Sequence, residues 1–361
     1  MSKVLLIILS HNGQRYFEDL FVSLGRVSYP KDYWEIFIID NASTDGSAEY
    51  LRENVVRKSG VELPKVTLYK SAINTGFVGN NIGISYALEK NFDYALLLNQ
   101  DSMVDPSFIN ELVRATEADS KIGAAQSLVK LWPETDLINT LGNRIHFLGF
   151  GYGFGYRWTD SQAQERLNQN KSLEVAYPSG ASLLLRVSAL RDVGFFDEEF
   201  FLYHEDLDLG WRMHLRQWKV SVVPESVIYH KYEFSRSIKK YYFMERNRFI
   251  FLLKNFKIGT LLLIVPALVI MEIGTFLFST KSGFWREKLK AYVYFLNPAK
   301  WLYIYRARRE IQRTRKVSDR KMSHWLSGKI EFQEIENSFL NKIANPIFNL
   351  YWRLIKSFII W

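Results

Sequence analysis

The sequence predicts an α/β fold, a mostly parallel sheet flanked by helices, followed by a helical C-terminal region. Three observations carry this. Apolar runs of strand length recur at residues 4–9, 36–39, 66–69 and 95–98, spaced by about thirty residues. Segments of helical pattern fill the intervals, as at 16–24 and 47–56, and strands alternating with helices build βαβ units. Three of the runs end in polar clusters: Ser10-His11-Asn12, the stretch from Asp40 to Ser47, and Asn99-Gln100-Asp101. Ligands of such sheets bind outside the carboxyl ends of the strands, so these clusters are the first candidates for function.

Composition narrows the class. A chain of 361 residues can bury one large core or two smaller ones. Its 48% hydrophobic content is high, but a 24% charged fraction argues against a multi-span membrane protein. With no cysteine there is no disulfide framework and no cysteine-ligated zinc, which suits a reducing compartment. Lys3 precedes only six apolar residues, the length of a strand and too short for the core of a signal peptide. The net charge of +9 is unevenly spread. Residues 1–230 hold 22 Lys and Arg against 29 Asp and Glu, whereas residues 231–361 hold 25 against 9. We therefore expect a domain at 1–235 and a basic, apolar helical region at 236–361 that needs an anionic partner. Its charge lies beside Leu- and Trp-rich segments, which suits a lipid surface better than nucleic acid.

Asp40 and Asp101 each follow an apolar strand, where a carboxylate is costly unless something positive or hydrogen-bonding meets it. Ser43, Thr44 and Asp45 offer capping atoms for the next helix. Residues 149–156 alternate glycine with aromatic residues, but they follow no clear strand and open no helix. That excludes a dinucleotide fingerprint and predicts a loop or hairpin. Farther on, Leu207, Trp211 and Leu215 form an i, i+4, i+8 stripe, which places Glu205 and Asp206 in the first turn of a helix. Asp208 has Arg212 at i+4 as a structural partner.

Seven segments in order complete the pattern: IILSHN (7–12), IIDNASTDGS (38–47), NTGFVGNNIGI (74–84), LLLNQD (96–101), SGASLLLR (179–186), FFDEEFFLYHEDLDLGWRMHLRQW (195–218) and VIYHKY (227–232). Together they resemble the family 2 inverting glycosyltransferases of GT-A fold, a Rossmann-like architecture. Residues 311–321 bear a softer resemblance to rhamnosyltransferase-type members. The resemblance implies donor-binding roles for His11, Asn12, Asp40, Asn74, Gly76, Phe77, Asn99 and Gly180, with Asp40 accepting an N–H of the nucleotide base. Gly76 and Gly180 would let backbone approach the nucleotide or a sugar. Asn99-Gln100-Asp101 matches the family's D-x-D with its first aspartate replaced. The resemblance thus implies a divalent cation, Mg²⁺ or Mn²⁺, on Asp101 and His230. Asp206, with Glu205 beside it, matches the catalytic acid position, and a helix N-terminus would hold Asp206 ionised by lowering its pKa.

The implied activity is transfer of a sugar from a nucleotide diphosphate sugar to a glycan or lipid-linked acceptor in cell-surface polysaccharide assembly. A catalytically inactive nucleotide- or glycan-binding protein on the same fold is the alternative. Residues 258–280 carry Glu272 as their only charge and are long enough to cross a bilayer. Basic residues flank them on both sides: Lys254 and Lys257 before, Lys281, Arg286, Lys288 and Lys290 after. This predicts an in-plane or re-entrant attachment to anionic lipid on the cytoplasmic face, reinforced by residues 306–321, Trp352 and Trp361.

Overall fold

A computed structural model describes residues 1–169, 174–231, 240–331 and 340–361. Tyr232 and the expected boundary at 235/236 lie outside the described residues. The four expected strands are present as β1 (Val4–Ser10), β2 (Trp34–Asn41), β3 (Lys65–Ser71) and β4 (Tyr94–Asn99). They are followed by β5 (Ser102–Val104), β6 (Ile122–Leu131), β7 (Ile138–Thr140), β8 (Asn143–His146) and β9 (Gly151–Gly153). Then come β10 (Ser182–Arg186), β11 (Lys219–His230) and the short β12 (Leu326–Ser327).

The main sheet runs β3-β2-β1-β4-β10-β6-β11-β5, with β7 beside β6. The first four strands are parallel, β10 is antiparallel to both its neighbours, and β11 returns parallel to β6. β1 is apolar from Val4 to Leu9 because both faces are covered. Leu6 and Ile8 pack with Phe17, Leu20 and Phe108 on one side, and Leu5 and Ile7 with Ile84 and Ala87 on the other. Register then aligns the polar ends, pairing Ser10 with Asp40 and Leu9 with Asn99. Strand order reverses at β1, with β2 on one side and β4 on the other, the topology that opens a ligand crevice. The glycine-aromatic stretch forms part of a hairpin, with β9 antiparallel to β8.

A second core joins Ile145, Phe200 and Trp211 to Phe251, Ile304, Phe348 and Trp352. The C-terminal helices thus pack directly against the helix Glu205–Leu215 and its lead-in. The helix Ile258–Lys281 is the one among the described residues long and apolar enough to cross a membrane. Its inward side is anchored: Glu272 meets Arg248, Lys288 and the Tyr292 hydroxyl, while Glu245 meets the same Arg248 and Lys288. Its outward side leaves Leu262, Val265, Val269, Ile273, Phe276 and Leu277 exposed, a single stripe at helical spacing.

Several lipid-facing expectations are corrected here. Trp352 is buried and stacks on Phe147 with ring centroids 5.1 Å apart. Trp361 turns inward, its indole N–H donating to the Thr260 hydroxyl at 2.9 Å. Lys254 and Lys288 are buried in ion pairs. Arg308 donates to the carbonyls of Leu253 and Phe256, both at 2.6 Å, closing the end of the helix Tyr241–Asn255. An apolar core near these positions captured side chains whose sequence context suggested a membrane face.

Candidate active site

Seven segments meet at the carboxyl end of the parallel strands. The ends of β1 and β2 carry His11, Asn12 and Asp40, and the loop after β3 carries Asn74, Gly76 and Phe77. β4 and β11 bring Asn99, Asp101 and His230 together, and Gly180 leads into β10 beside the helix that starts at Glu205.

Asp40 is fully buried, and neither carboxylate oxygen has a hydrogen-bond partner among the described residues. That state costs several kcal/mol unless a ligand relieves it. Around it the loops are tied down. His11 Nδ1 lies 3.0 Å from the Asn41 carbonyl, and Asn12 Oδ1 accepts from the Thr44 N–H at 2.8 Å. Asn41 donates to Asn74 Oδ1 at 3.1 Å and to the Gly76 carbonyl at 3.2 Å, and accepts from the Thr75 N–H at 3.0 Å. The Asn74 side-chain oxygen also accepts from the Gly76 N–H at 2.8 Å, so it shapes its own loop.

The two glycines are explained differently from the sequence reading. Gly76 has φ +69°, and a Cβ there would stand 2.1 Å from the Phe201 carbonyl oxygen. The Phe77 N–H donates to that same oxygen at 2.7 Å. The close approach is therefore between two protein loops. At Gly180 the space of the missing Cβ is taken by the Phe77 ring, 2.5 Å away. Phe77 also packs edge-on against Phe196.

At the end of β4, His230 Nε2 stands 3.2 Å from Asp101 Oδ1 and 3.4 Å from the Asn99 amide nitrogen. The pairing of His230 with Ser102 across β11 and β5 sets this meeting. Two ligands of one octahedral ion sit about 3 Å apart when each bond is about 2.1 Å, so Asp101 and His230 fit adjacent positions. No cluster of three or more His, Asp or Glu suited to a metal occurs among the described residues. Gln100, which sequence reasoning passed over, clamps the end of β1. It accepts from the His11 N–H and donates to the His11 carbonyl, both at 3.1 Å. Its place between Asn99 and Asp101 was the available signal.

Asp206 accepts from the Leu207 N–H at 2.8 Å and the Gly180 N–H at 3.4 Å. Burial of its carboxyl nevertheless pushes its pKa up to about 6, outweighing those N–H groups. This corrects the expectation of a lowered value. Glu205 is buried, with Oε2 unpartnered among the described residues, and burial followed by the Asp206 charge raises it well above the usual carboxylate range. Asp208 is the structural acid: Arg212 binds it at 2.7 Å and Asn255 at 2.9 Å.

The turn before this helix is unusual, because Phe201, Tyr203 and His204 have φ of +61°, +66° and +69°. Each non-glycine residue in that region costs about 1–2 kcal/mol, so the surroundings must hold it. Finally, the Asn99 N–H donates to the Ala181 carbonyl at 3.0 Å, and the adjacent Gly180 touches Asp206. Residues 180–181 thus join the end of β4, at Asn99, to the helix-start acid Asp206.

A family model described as glycosyl transferase family 2 matches residues 5–194, just over half of the chain. An N-acetylglucosaminyl-diphospho-decaprenol L-rhamnosyltransferase of Mycobacterium tuberculosis is 27% identical over 213 residues, covering 54% of this chain and 66% of that protein. A poly-beta-1,6-N-acetyl-D-glucosamine synthase of Staphylococcus aureus is 22% identical over 233 residues, covering 62% of this chain and 48% of that protein. The matched stretch is thus under two thirds of the length of either relative. Among solved structures, GalNAc-T7 with UDP, GalNAc and Mn²⁺ superposes with a TM-score of 0.55 at 15% identity, over 72% of this chain and 49% of that one. S. aureus TarS gives 0.52 at 15% identity over 99% of this chain and 53% of that one. At such identities the likeness concerns the fold alone.

Proposed function

This chain belongs to glycosyl transferase family 2 and has the GT-A fold, and we propose that it transfers a sugar from a UDP- or dTDP-linked donor to a hydroxyl, with inversion at the anomeric carbon. The observation that supports this best is the tie just described, which links the end of β4, where Asn99 and Asp101 meet His230, through residues 180–181 to Asp206. Asp206 serves as general base, taking the proton of the acceptor hydroxyl as its oxygen attacks. A base with a pKa of about 6 is still ionised at neutral pH, yet stronger than an ordinary aspartate. Burial and then the Asp206 charge raise the Glu205 carboxyl well above the usual range, so Asp206 ionises more readily than its neighbour. Asp40 offers its unpartnered oxygens to the N–H of uracil or thymine, which requires the residues covering it to move. His11, Asn12, Asn74, Gly76 and Phe77 hold the loops that frame the nucleotide. Asp101 and His230, with Asn99 beside them, would hold a Mg²⁺ or Mn²⁺ ion, which supplies charge neutralisation for the leaving diphosphate.

The acceptor is a lipid-linked or growing glycan, in keeping with the diphospho-decaprenol substrate named for the mycobacterial relative. In this reading residues 1–235 do the chemistry and residues 236–361 bring the site to the membrane. The helix Ile258–Lys281 lies in the plane of the cytoplasmic leaflet. Its Glu272 side faces protein, its apolar stripe faces acyl chains, and exposed Lys281, Arg286 and Lys290 meet anionic headgroups.

The test is a thermal-shift and turnover panel of UDP- and dTDP-sugars with Mn²⁺ or Mg²⁺. One donor family should raise the melting temperature and be consumed, giving a product of opposite anomeric configuration. EDTA and Asp101→Ala should each remove turnover by at least about 100-fold. Full turnover in EDTA, or retained configuration, would refute the reading.

A further inference from the structure

The strained turn that delivers Glu205 and Asp206 is gripped from the far side by a residue of the C-terminal region. Asn247 is fully buried on the helix Tyr241–Asn255. Its side-chain amide nitrogen lies 2.9 Å from the Phe200 carbonyl, 2.8 Å from that of Leu202 and 2.7 Å from that of Tyr203. The intervening carbonyl, that of Phe201, points the other way and accepts from the Phe77 N–H. Every carbonyl from Phe200 to Tyr203 is therefore engaged, three of them by the two N–H groups of one side chain, one N–H being shared. Arg246 fixes the orientation of that amide. Its Nε donates to Asn247 Oδ1 at 2.9 Å, which turns the NH₂ toward the turn, and its Nη2 donates to the carbonyls of Glu199 at 2.6 Å and Phe200 at 3.0 Å.

The chemistry of this grip is specific. Three convergent carbonyl oxygens need a compact donor that carries more than one proton and no acceptor facing them, and a primary amide supplies that. An aspartate in its place would set oxygen against oxygen. A leucine would fill the volume, remove the donor to the Leu202 and Tyr203 carbonyls and leave the Phe200 carbonyl to Arg246. Released from the clamp, φ at Phe201, Tyr203 and His204 would relax out of the left-handed region. That relaxation would swing the first turn of the helix, and Asp206 with it.

We propose that Asn247, oriented by Arg246, is a positioning residue for the transfer reaction: it holds the turn Phe200–His204 in the conformation that aims Asp206 at the acceptor. This rests on the reading of Asp206 as base. Asn247 touches no reacting atom, and its effect passes through the backbone of the turn.

The full-length protein tests this in three variants. Turnover is followed with UDP-N-acetylglucosamine or dTDP-rhamnose, whichever the parent consumes, and UDP–Mn²⁺ binding by calorimetry. The Asp206 carboxyl is titrated by ¹³C NMR, with Glu205, Tyr177 and Lys240 as the neighbouring groups that titrate or carry charge. Asn247→Leu should lower turnover by about 30-fold or more and leave UDP–Mn²⁺ affinity within about twofold. Its Asp206 midpoint should fall away from about 6 as the carboxyl becomes more exposed. Asn247→Ser, which keeps one donor, should do the same to a smaller extent and serves if the leucine variant fails to fold. Turnover within about threefold of the parent, or turnover and UDP affinity falling together, overturns the proposal. Asp206→Asn separates the two possible failures. If it keeps turnover, the base assignment fails and the clamp falls with it; if it is inactive while Asn247→Leu is not, the clamp alone is wrong.

Discussion

At the carboxyl end of the sheet, Asp40 is sealed from solvent with neither oxygen partnered among the described residues, and Oε2 of Glu205 shares that state. Between the C-terminal helices, Glu245, Arg248 and Lys288 lie as deep, and each is in an ion pair. The same chain therefore pairs its buried acids between the helices and leaves carboxyl oxygens without hydrogen-bond partners where a ligand is expected. Among the described residues the buried carboxyl oxygens without a partner belong to Asp40 and Glu205, and because such burial is expensive we take that end as the functional one. The strained turn at Phe201, Tyr203 and His204 belongs to the same end.

The comparison can be broken from the helical side first, where the largest effect is expected. Lys288→Met leaves Glu245 and Glu272 with Arg248 as their remaining cation in the cluster. It should cost about 3–5 kcal/mol in urea denaturation, the usual penalty for stranding one partner of a buried pair. Asp40→Asn is the counterpart at the site and should leave stability unchanged or raised. Equal losses at both positions would erase the distinction. The smallest effect belongs to the open stripe. Val269→Ser with Ile273→Ser should change stability by no more than about 0.5 kcal/mol and still abolish pelleting with anionic vesicles. Undiminished pelleting would remove this face from the membrane.

Much of the sheet was legible because its strands are buried on both faces and end in abrupt polar clusters, as at Leu98-Asn99 and Ile39-Asp40. The convergence of Asp101 with His230 spans 129 residues. It is invisible to spacing, and only the order of motifs suggested it. At Gly76 and Gly180 the sequence cannot say what occupies the space of the missing Cβ. Phe201 fills it at Gly76 and Phe77 at Gly180. Tryptophans and lysines near an apolar helix misled because a second core captured Trp352, and ion pairs captured Lys254 and Lys288. Asn247 had one readable signal, the run Glu245-Arg246-Asn247-Arg248 in a helix whose other residues from Tyr241 to Leu253 are apolar or aromatic. Four polar residues in a row must face several directions on a helix, and all four are buried with partners.

The claim that the unsatisfied end is the catalytic end rests on Asp206. Its carboxyl titrates near 6 when folded, above the ordinary 3.8, so the ionised form weakens the fold. That cost is absent below about pH 4, grows as pH rises toward 6 and is complete above it. Asp206→Asn should therefore melt higher than the parent at pH 7 and equal to it near pH 4. The decisive measurement is the turnover of Asp206→Asn across pH 5–8, beside its UDP–Mn²⁺ affinity. The account predicts binding within about twofold of the parent, turnover lower by about 10²–10⁴-fold, and loss of the parent's tenfold-per-unit decline below pH 6. Parent-like turnover with the same acid limb would contradict it.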